Sequence, residues 1–278
     1  MTPAGFDVGH GAILGAREAQ EDEFRVSELT SDGAVSPIAG DGPFTRVLVA
    51  LADGMGGHAA GEVAAEITSR VFTEVAGDKL CDAPAGSDDA ETWQASSSDA
   101  LAAANRDVAD YVKAHPNCDG MGATLIGALF SPSGLSWISI GDSPMFLIRN
   151  REIARVNADH SLAPVLDDMA RAGELTREAA RRDPRRHMLR AAITGETLDL
   201  VDQSARPLEL APDDIVICAS DGIETLADDE IMRVAVGYRA DGAKAVAEAL
   251  LRSVENANVE RQDNASVVVV IPWFRRDA

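Results

Sequence analysis

Four aspartates occupy one kind of position in this chain, each at the edge of an apolar, strand-like run and beside a glycine, serine or asparagine. They are Asp53 after VLVALA, Asp142 after LSWISIG, Asp221 after DIVICAS, and Asp263, which precedes Asn264 and ASVVVVI. A strand sets the direction of the residue at its end, and a small neighbour lets backbone, water or ligand approach. Hard divalent cations such as Mg2+ and Mn2+ take oxygen ligands in near-octahedral geometry and keep part of their water. Carboxylates converging from separate strands supply such ligands, so the pattern predicts a metal site. Asp-Gly is also a common turn dipeptide. Asp32-Gly33, Asp41-Gly42, Asp119-Gly120 and Asp241-Gly242 follow no apolar run and are read as turns.

The elements that must hold these residues follow from periodicity. GAILGAREAQEDEFRV reads as a strand and a polar turn, and TRVLVALA as a buried strand. GEVAAEITSRVFTEV places Val63, Ile67, Val71 and Val75 at helical spacing, and Leu101, Ala104, Val108, Tyr111 and Val112 mark a second helix beyond a Gly/Asp/Ser-rich loop. MGATLIGALF, LSWISI, MFLIR and EIARV, separated by turn residues, read as an antiparallel meander. The segment from Ser161 to Arg186 is helical and charged. LDLVDQ, PLEL and DIVICA then read as strands, before a last helix bearing Val246, Leu250 and Val254 and the strand ASVVVVI. Helices lie in pairs between groups of strands, which predicts an α+β fold with layered antiparallel sheets. With no internal repeat and no long linker, residues 1–278 are expected to form one domain.

Composition narrows the function. The 278 residues are 46% hydrophobic, ample for a core, and carry a formal net charge of -21. That field repels phosphate backbones, so nucleic-acid binding is not expected, and it favours a monomer. No apolar stretch approaches the ~20 residues of a membrane helix, and the N-terminus lacks a basic and hydrophobic secretory segment, so a cytoplasmic protein is expected. Cys81, Cys118 and Cys218 form no CxxC pair or disulfide framework. The arginine that a cysteine phosphatase carries six residues after its thiol is replaced by Ser87, Thr124 and Glu224. Arg171, Arg177, Arg181, Arg182, Arg185, Arg186 and Arg190 crowd one segment, as either a solvated helical face or a docking surface for an acidic or phosphorylated substrate.

In order along the chain, LADGMGGHAAGE, GATL, ISIGDS, DHS, CASDGI and RQDNASVVVV resemble the motifs of the metal-dependent protein serine/threonine phosphatases, the type 2C or PPM family, and especially its compact bacterial members. The likeness runs from Gly15-Ala-Arg17 to Val270. It implies a four-layer α-β-β-α sandwich, two central antiparallel sheets flanked by helices, with metals in a cleft at one end. By the resemblance, Asp53 bridges two ions, the Gly54 carbonyl is a ligand beside it, and Asp221 and Asp263 complete the first site. Asp22 or its neighbour Glu21 serves the second. Asp142, with Asp221, holds a third, weaker ion.

The cofactor implied is Mn2+ or Mg2+, and Arg17 is the phosphate-binding arginine, its planar fork suited to two oxygens. Arg17, Asp53 and Asp221 would carry the catalysis. Two metals roughly 3.5–4 Å apart would activate a bridging water for in-line attack on phosphoserine or phosphothreonine, without a covalent phosphoenzyme. The partners implied are phosphoproteins of a cognate Ser/Thr kinase, and 163–187 corresponds to a flap that governs substrate choice. Two positions depart from the family. Met55 stands where many eukaryotic relatives place a histidine proposed as general acid, and Pro144 where a polar residue is frequent. His58 is a candidate for proton transfer or for helix-start packing; His160 and Ser161 are read as structural.

Three other readings compete. Gly54-Met-Gly56-Gly-His-Ala59 satisfies G-x-G-x-x-A between strand and helix, as in an NAD-dependent oxidoreductase, but Asp53 would point a negative charge at the pyrophosphate. A catalytically inactive binding module of the same fold would be expected to have lost a metal aspartate, and all five are present. A phosphorylated regulator such as an anti-anti-sigma factor is the third, as an alternative substrate.

Overall fold

The structure, a computed structural model, describes residues 2–30, 33–38, 42–56, 60–83 and 88–275. The elements in chain order are β1 (Gly5–Ile13), β2 (Asp22–Leu29), β3 (Val35–Pro37), β4 (Val47–Met55), α1 (Ala60–Asp82), α2 (Ala90–Ala114), β5 (Gly122–Ala123), β6 (Leu125–Ser131), β7 (Gly134–Ile140), β8 (Met145–Arg149) and β9 (Glu152–Arg155). There follow α3 (Ala163–Arg171), α4 (Arg177–Arg182), β10 (Asp202–Gln203), β11 (Ile215–Ala219), α5 (Asp228–Tyr238), α6 (Ala243–Ala257) and β12 (Ala265–Trp273). One sheet has the order β1-β12-β11-β8-β9. The other runs β10-β7-β6-β4-β2-β3, with β5 paired to β4. Every registered pairing is antiparallel.

Period-two alternation sorts the side chains into layers. In β4, Val47, Val49 and Leu51 enter the core between the sheets, while Leu48, Ala50 and Ala52 pack under the first helix pair. In β12, Val268 and Val270 face the other sheet while Val267, Val269 and Ile271 meet the second helix pair. A strand buried on both faces reads as a continuous apolar run, which is why VLVALA and ASVVVVI stand out. Helices α1 and α2 cover the larger sheet through Ala64, Val71, Phe72, Trp93 and Ala104, and α5 and α6 cover the smaller through Ile231, Val246 and Leu250. The result is the expected α-β-β-α sandwich. Its antiparallel sheets remove the dinucleotide-binding alternative, which needs a parallel βαβ unit.

Three local expectations are corrected. α1 continues to Asp82 because Ala76 and Leu80 extend its buried stripe. Of LDLVDQ, Asp202 and Gln203 form β10, and PLEL contributes an isolated bridge, Leu208 to Leu135. This stretch runs along the outer edge of β7, where Pro207 has no N–H for a ladder and Val201 is 41% exposed. Helix α5 was not anticipated, although Asp228, Asp229 and Glu230 suit a helix N-terminus and Ile231, Val234 and Ala235 share one buried face.

Candidate metal centre

The four aspartates converge where the ends of the two sheets meet, around a cavity of about 340 Å3. From the larger sheet come Asp53, two residues before the end of β4, and Asp142, two residues past β7. From the smaller sheet come Asp221, in the 3-10 turn after β11, and Asp263, two residues before β12. Glu21, Gly54, Arg17, Met55 and His187 also line the space. Asp53 and Asp221 lie close enough for each to alter the other's ionisation.

Backbone contacts hold these positions. Asp53 N–H donates to Thr124 Oγ1 at 3.0 Å, and Thr124 N–H donates to the Asp53 carbonyl at 2.9 Å. Gly54 must be glycine, because a Cβ there would stand 2.2 Å from the Gly61 carbonyl oxygen in the first turn of α1. Gly141, with φ of 103°, turns the chain from β7 into Asp142. The imidazole of His160 accepts the Gly141 N–H at Nδ1 (3.2 Å), and the His160 N–H donates to the Gly141 carbonyl at 3.0 Å. Burial holds that imidazole below its ordinary pKa, which preserves the acceptor. His160 is thus structural, and its role is to fix the turn that presents Asp142. Arg155 donates to the Asp142 carbonyl at 2.7 Å and faces Glu224 at 3.6 Å, tying the Asp142 turn to the Asp221 turn.

The segment before β2 is organised by Asn264, 3% exposed. Its Oδ1 accepts the Glu21 N–H at 2.8 Å, and its Nδ2 donates to the Leu14 and Ala19 carbonyls at 2.8 and 3.1 Å. Arg17 is carried on the loop so anchored, and its guanidinium pairs with Asp263 at 2.5 Å. Of the acidic pair, Glu21 lines the cavity. Asp22 lies beneath it, opposite Asp53 in the β2/β4 ladder, where its carboxylate accepts the Ser220 hydroxyl at 2.7 Å. Asn264→Ala is expected to destabilise the protein by about 1–3 kcal/mol, the cost of leaving buried backbone groups unpaired. Hydrogen exchange should quicken across residues 14–21; protection there equal to wild type would contradict the anchoring role.

Burial, and then mutual repulsion, raise the pKa of most of these acids. Asp22 is pushed up to about 6 and Asp142 to about 7, with burial the first cause in each and the charge of Asp221 adding to both. Asp53 is raised well above its ordinary value by burial and by Asp22, Asp221 and Asp142. Asp221 is raised by burial and Asp263, against opposing contributions from His187 and Arg17. Among the described residues, no three His, Cys, Asp or Glu side chains are already drawn into a closed metal-ligating group; the acids face a common space. Among the described residues, Arg17 is the arginine that lines the cavity with them. An all-oxygen donor set with excess negative charge fits a hard divalent cation.

Other candidate residues separate from this site. His58 lies outside the described residues. Cys218 is buried in the core, its thiol pushed up to about 12 by burial, and is no nucleophile. Four of the seven clustered arginines are paired locally: Arg171 with Asp168, Arg182 with Glu178, Arg185 with Asp183, and Arg186 with Asp167 through two hydrogen bonds. Much of the cluster is therefore a solvated, internally neutralised face. His187, which sequence reasoning passed over, reaches the cavity from the C-terminal end of this segment. No apolar run or motif marks its position.

The sandwich and its acid-lined cleft define the protein phosphatase 2C class. Residues 32–263, more than half of the chain, match the model of that family, and the chain belongs to it. The serine/threonine protein phosphatase PstP of Mycobacterium tuberculosis is 34% identical over 225 residues, covering 80% of this chain and 40% of that protein. The chain thus spans about two fifths of the length of that curated relative. A Listeria monocytogenes serine/threonine phosphatase is 30% identical over 185 residues, 66% of this chain and 69% of its own. The crystal structure of the PstP catalytic domain in complex with two manganese ions superimposes with a TM-score of 0.70 at 27% identity, covering 97% of this chain and all of that one. A Streptococcus agalactiae phosphatase structure, 21% identical, matches the fold with a TM-score of 0.77 over 96% of this chain and 99% of its own.

Proposed function

We propose that this chain is a metal-dependent protein serine/threonine phosphatase, acting as one catalytic domain over residues 1–278 with 163–187 as its flap. The observation that carries the reading is the convergence of Asp53, Asp142, Asp221 and Asp263 from two sheets onto one cleft that Arg17 also lines. Asp53, the Gly54 carbonyl, Asp221 and Asp263 would hold two core Mn2+ or Mg2+ ions, with Glu21 nearer the cleft than Asp22 as the further acid. Asp142 with Asp221 would hold a third. Bound there, such ions lower the pKa of water and offset charge on a phosphoryl group.

The chain's own residues supply the rest. Arg17 is 51% exposed in its side chain and held by a single carboxylate, so a phosphate dianion can compete for its guanidinium, pairing with two of its oxygens. Burial of the acids at the end of the sandwich strengthens their electrostatic interactions. The substrates are phosphoserine and phosphothreonine proteins, products of a cognate kinase, and the enzyme works as a cytoplasmic monomer. The phosphatase names of relatives and the two manganese ions in the PstP structure support this reading. Among the described residues, no helix is long and apolar enough to cross a membrane.

The test is hydrolysis of p-nitrophenyl phosphate by the purified chain in EDTA, Mg2+ or Mn2+. Turnover that requires added metal is expected. A folded protein inactive with every metal would favour a catalytically inactive binding module instead.

A further inference from the structure

Expulsion of a seryl or threonyl alkoxide needs a proton, and Met55 beside the metal-site glycine carries none. Among the described residues, the other side chains around the cavity are carboxyls, Arg17, Leu189, Asn264 and Thr124. The carboxyls must be ionised to hold cations, and arginine does not give up its proton in proteins. The Thr124 hydroxyl is already engaged with the Asp53 N–H and with the Ser143 hydroxyl, at 2.7 Å from the latter. Among the described residues, His187 is the remaining lining group whose ring nitrogens can both donate and accept a proton.

Its place is held from both sides. Arg186 is clamped to Asp167 by hydrogen bonds of 2.9 and 2.8 Å. Leu189 bridges to Ser161, the Leu162 N–H donates to the Met188 carbonyl at 2.9 Å, and the Arg190 N–H donates to the His160 carbonyl at 2.8 Å. The return of the flap is therefore stitched to the segment that fixes the Asp142 turn, leaving His187 exposed at the cleft mouth.

We propose that His187 is the general acid for the departing alcohol, a role that rests on the phosphatase reading. As water oxygen bonds to phosphorus, the bond from phosphorus to the seryl oxygen breaks. Its electron pair stays on that oxygen, which takes the imidazolium proton. The proton released by the attacking water restores the imidazolium. The net change is one water consumed, with alcohol and inorganic phosphate formed.

The experiment compares His187→Gln and His187→Ala with wild type on a phosphoserine peptide and on p-nitrophenyl phosphate, whose nitrophenolate leaves as a stable anion without a proton. General acids contribute roughly 10^2- to 10^4-fold. The peptide rate is expected to fall by that range, and by at least about 100-fold more than the aryl rate, with added imidazole partly restoring His187→Ala. Melting temperatures with and without Mn2+ should match wild type, because His187 is exposed. Equal losses on both substrates, or an unchanged peptide rate, would overturn the role. A wild-type protein that hydrolyses neither substrate sinks the phosphatase reading and this role with it.

Discussion

Asp53→Asn is expected to lower turnover of p-nitrophenyl phosphate at saturating Mn2+ by at least about 10^3-fold, since a metal site contributes several kcal/mol of transition-state stabilisation. The same substitution should make the metal-free protein more stable. Asp53 faces Asp22, Asp142, Asp221 and Asp263, and burial with their repulsion raises its pKa well above the ordinary value. Holding it ionised at pH 8 therefore costs folding free energy, which the isosteric amide removes. The melting temperature of Asp53→Asn in EDTA should exceed that of wild type at pH 8, and the rise produced by Mn2+ should shrink. Opposite effects on activity and stability are the signature of a residue placed for a ligand. A variant that is both active with Mn2+ and less stable in EDTA would refute the assignment, because a structural carboxylate loses stability when neutralised.

The second large effect is on the pH dependence of metal-free stability. A carboxyl whose folded pKa lies above its unfolded value binds more protons when folded. Its stabilising contribution is complete below the unfolded pKa and is lost as pH rises through the folded one. For Asp142 the window runs from the ordinary 3.8 to about 7, and for Asp22 from 3.8 to about 6. In EDTA, stability should thus fall between about pH 4 and 7, by on the order of a few kcal/mol from these two groups. Divalent cations need the ionised acids, so their effect has the opposite slope. At roughly 100 times its Kd, Mn2+ should raise the melting temperature by about 5–10 °C at pH 7.5, and by much less at pH 5. Because the net charge of -21 also opposes folding at higher pH, Asp142→Asn is the control and should flatten the EDTA profile. An Mn2+ shift that is the same at pH 5 and 7.5, or a profile unchanged in Asp142→Asn, would show that these acids neither bind the metal nor titrate as their surroundings dictate.

Much of the site was legible because its aspartates flank elements with strong local signals. VLVALA and ASVVVVI are apolar on both alternating faces, so each announces a strand covered on two sides, and acids recurring at several such ends point past a simple turn to a shared ligand. What stayed ambiguous had no such neighbour. Glu21 and Asp22 could not be told apart by type, and their separation into cavity wall and buried layer is set by the turn into β2 and by Ser220, 198 positions away. Arg17 was a candidate by resemblance, but its pairing with Asp263 spans 246 positions. α5 went unread because its apolar face is short, and it becomes a helix by packing on α6 and the smaller sheet.

The sequence by itself determined the α+β layering, the strands buried on both faces, and the acidic, oxygen-donor chemistry at their ends. These depend on side-chain period and type, which act between residues a few positions apart. The tertiary structure alone decided which acids meet, how far burial and their neighbours raise them, that Arg17 answers Asp263, and that His187 comes to the cleft. Those outcomes depend on distances between groups far apart in the chain and on the water excluded around them, quantities that exist only once the two sheets have closed on each other.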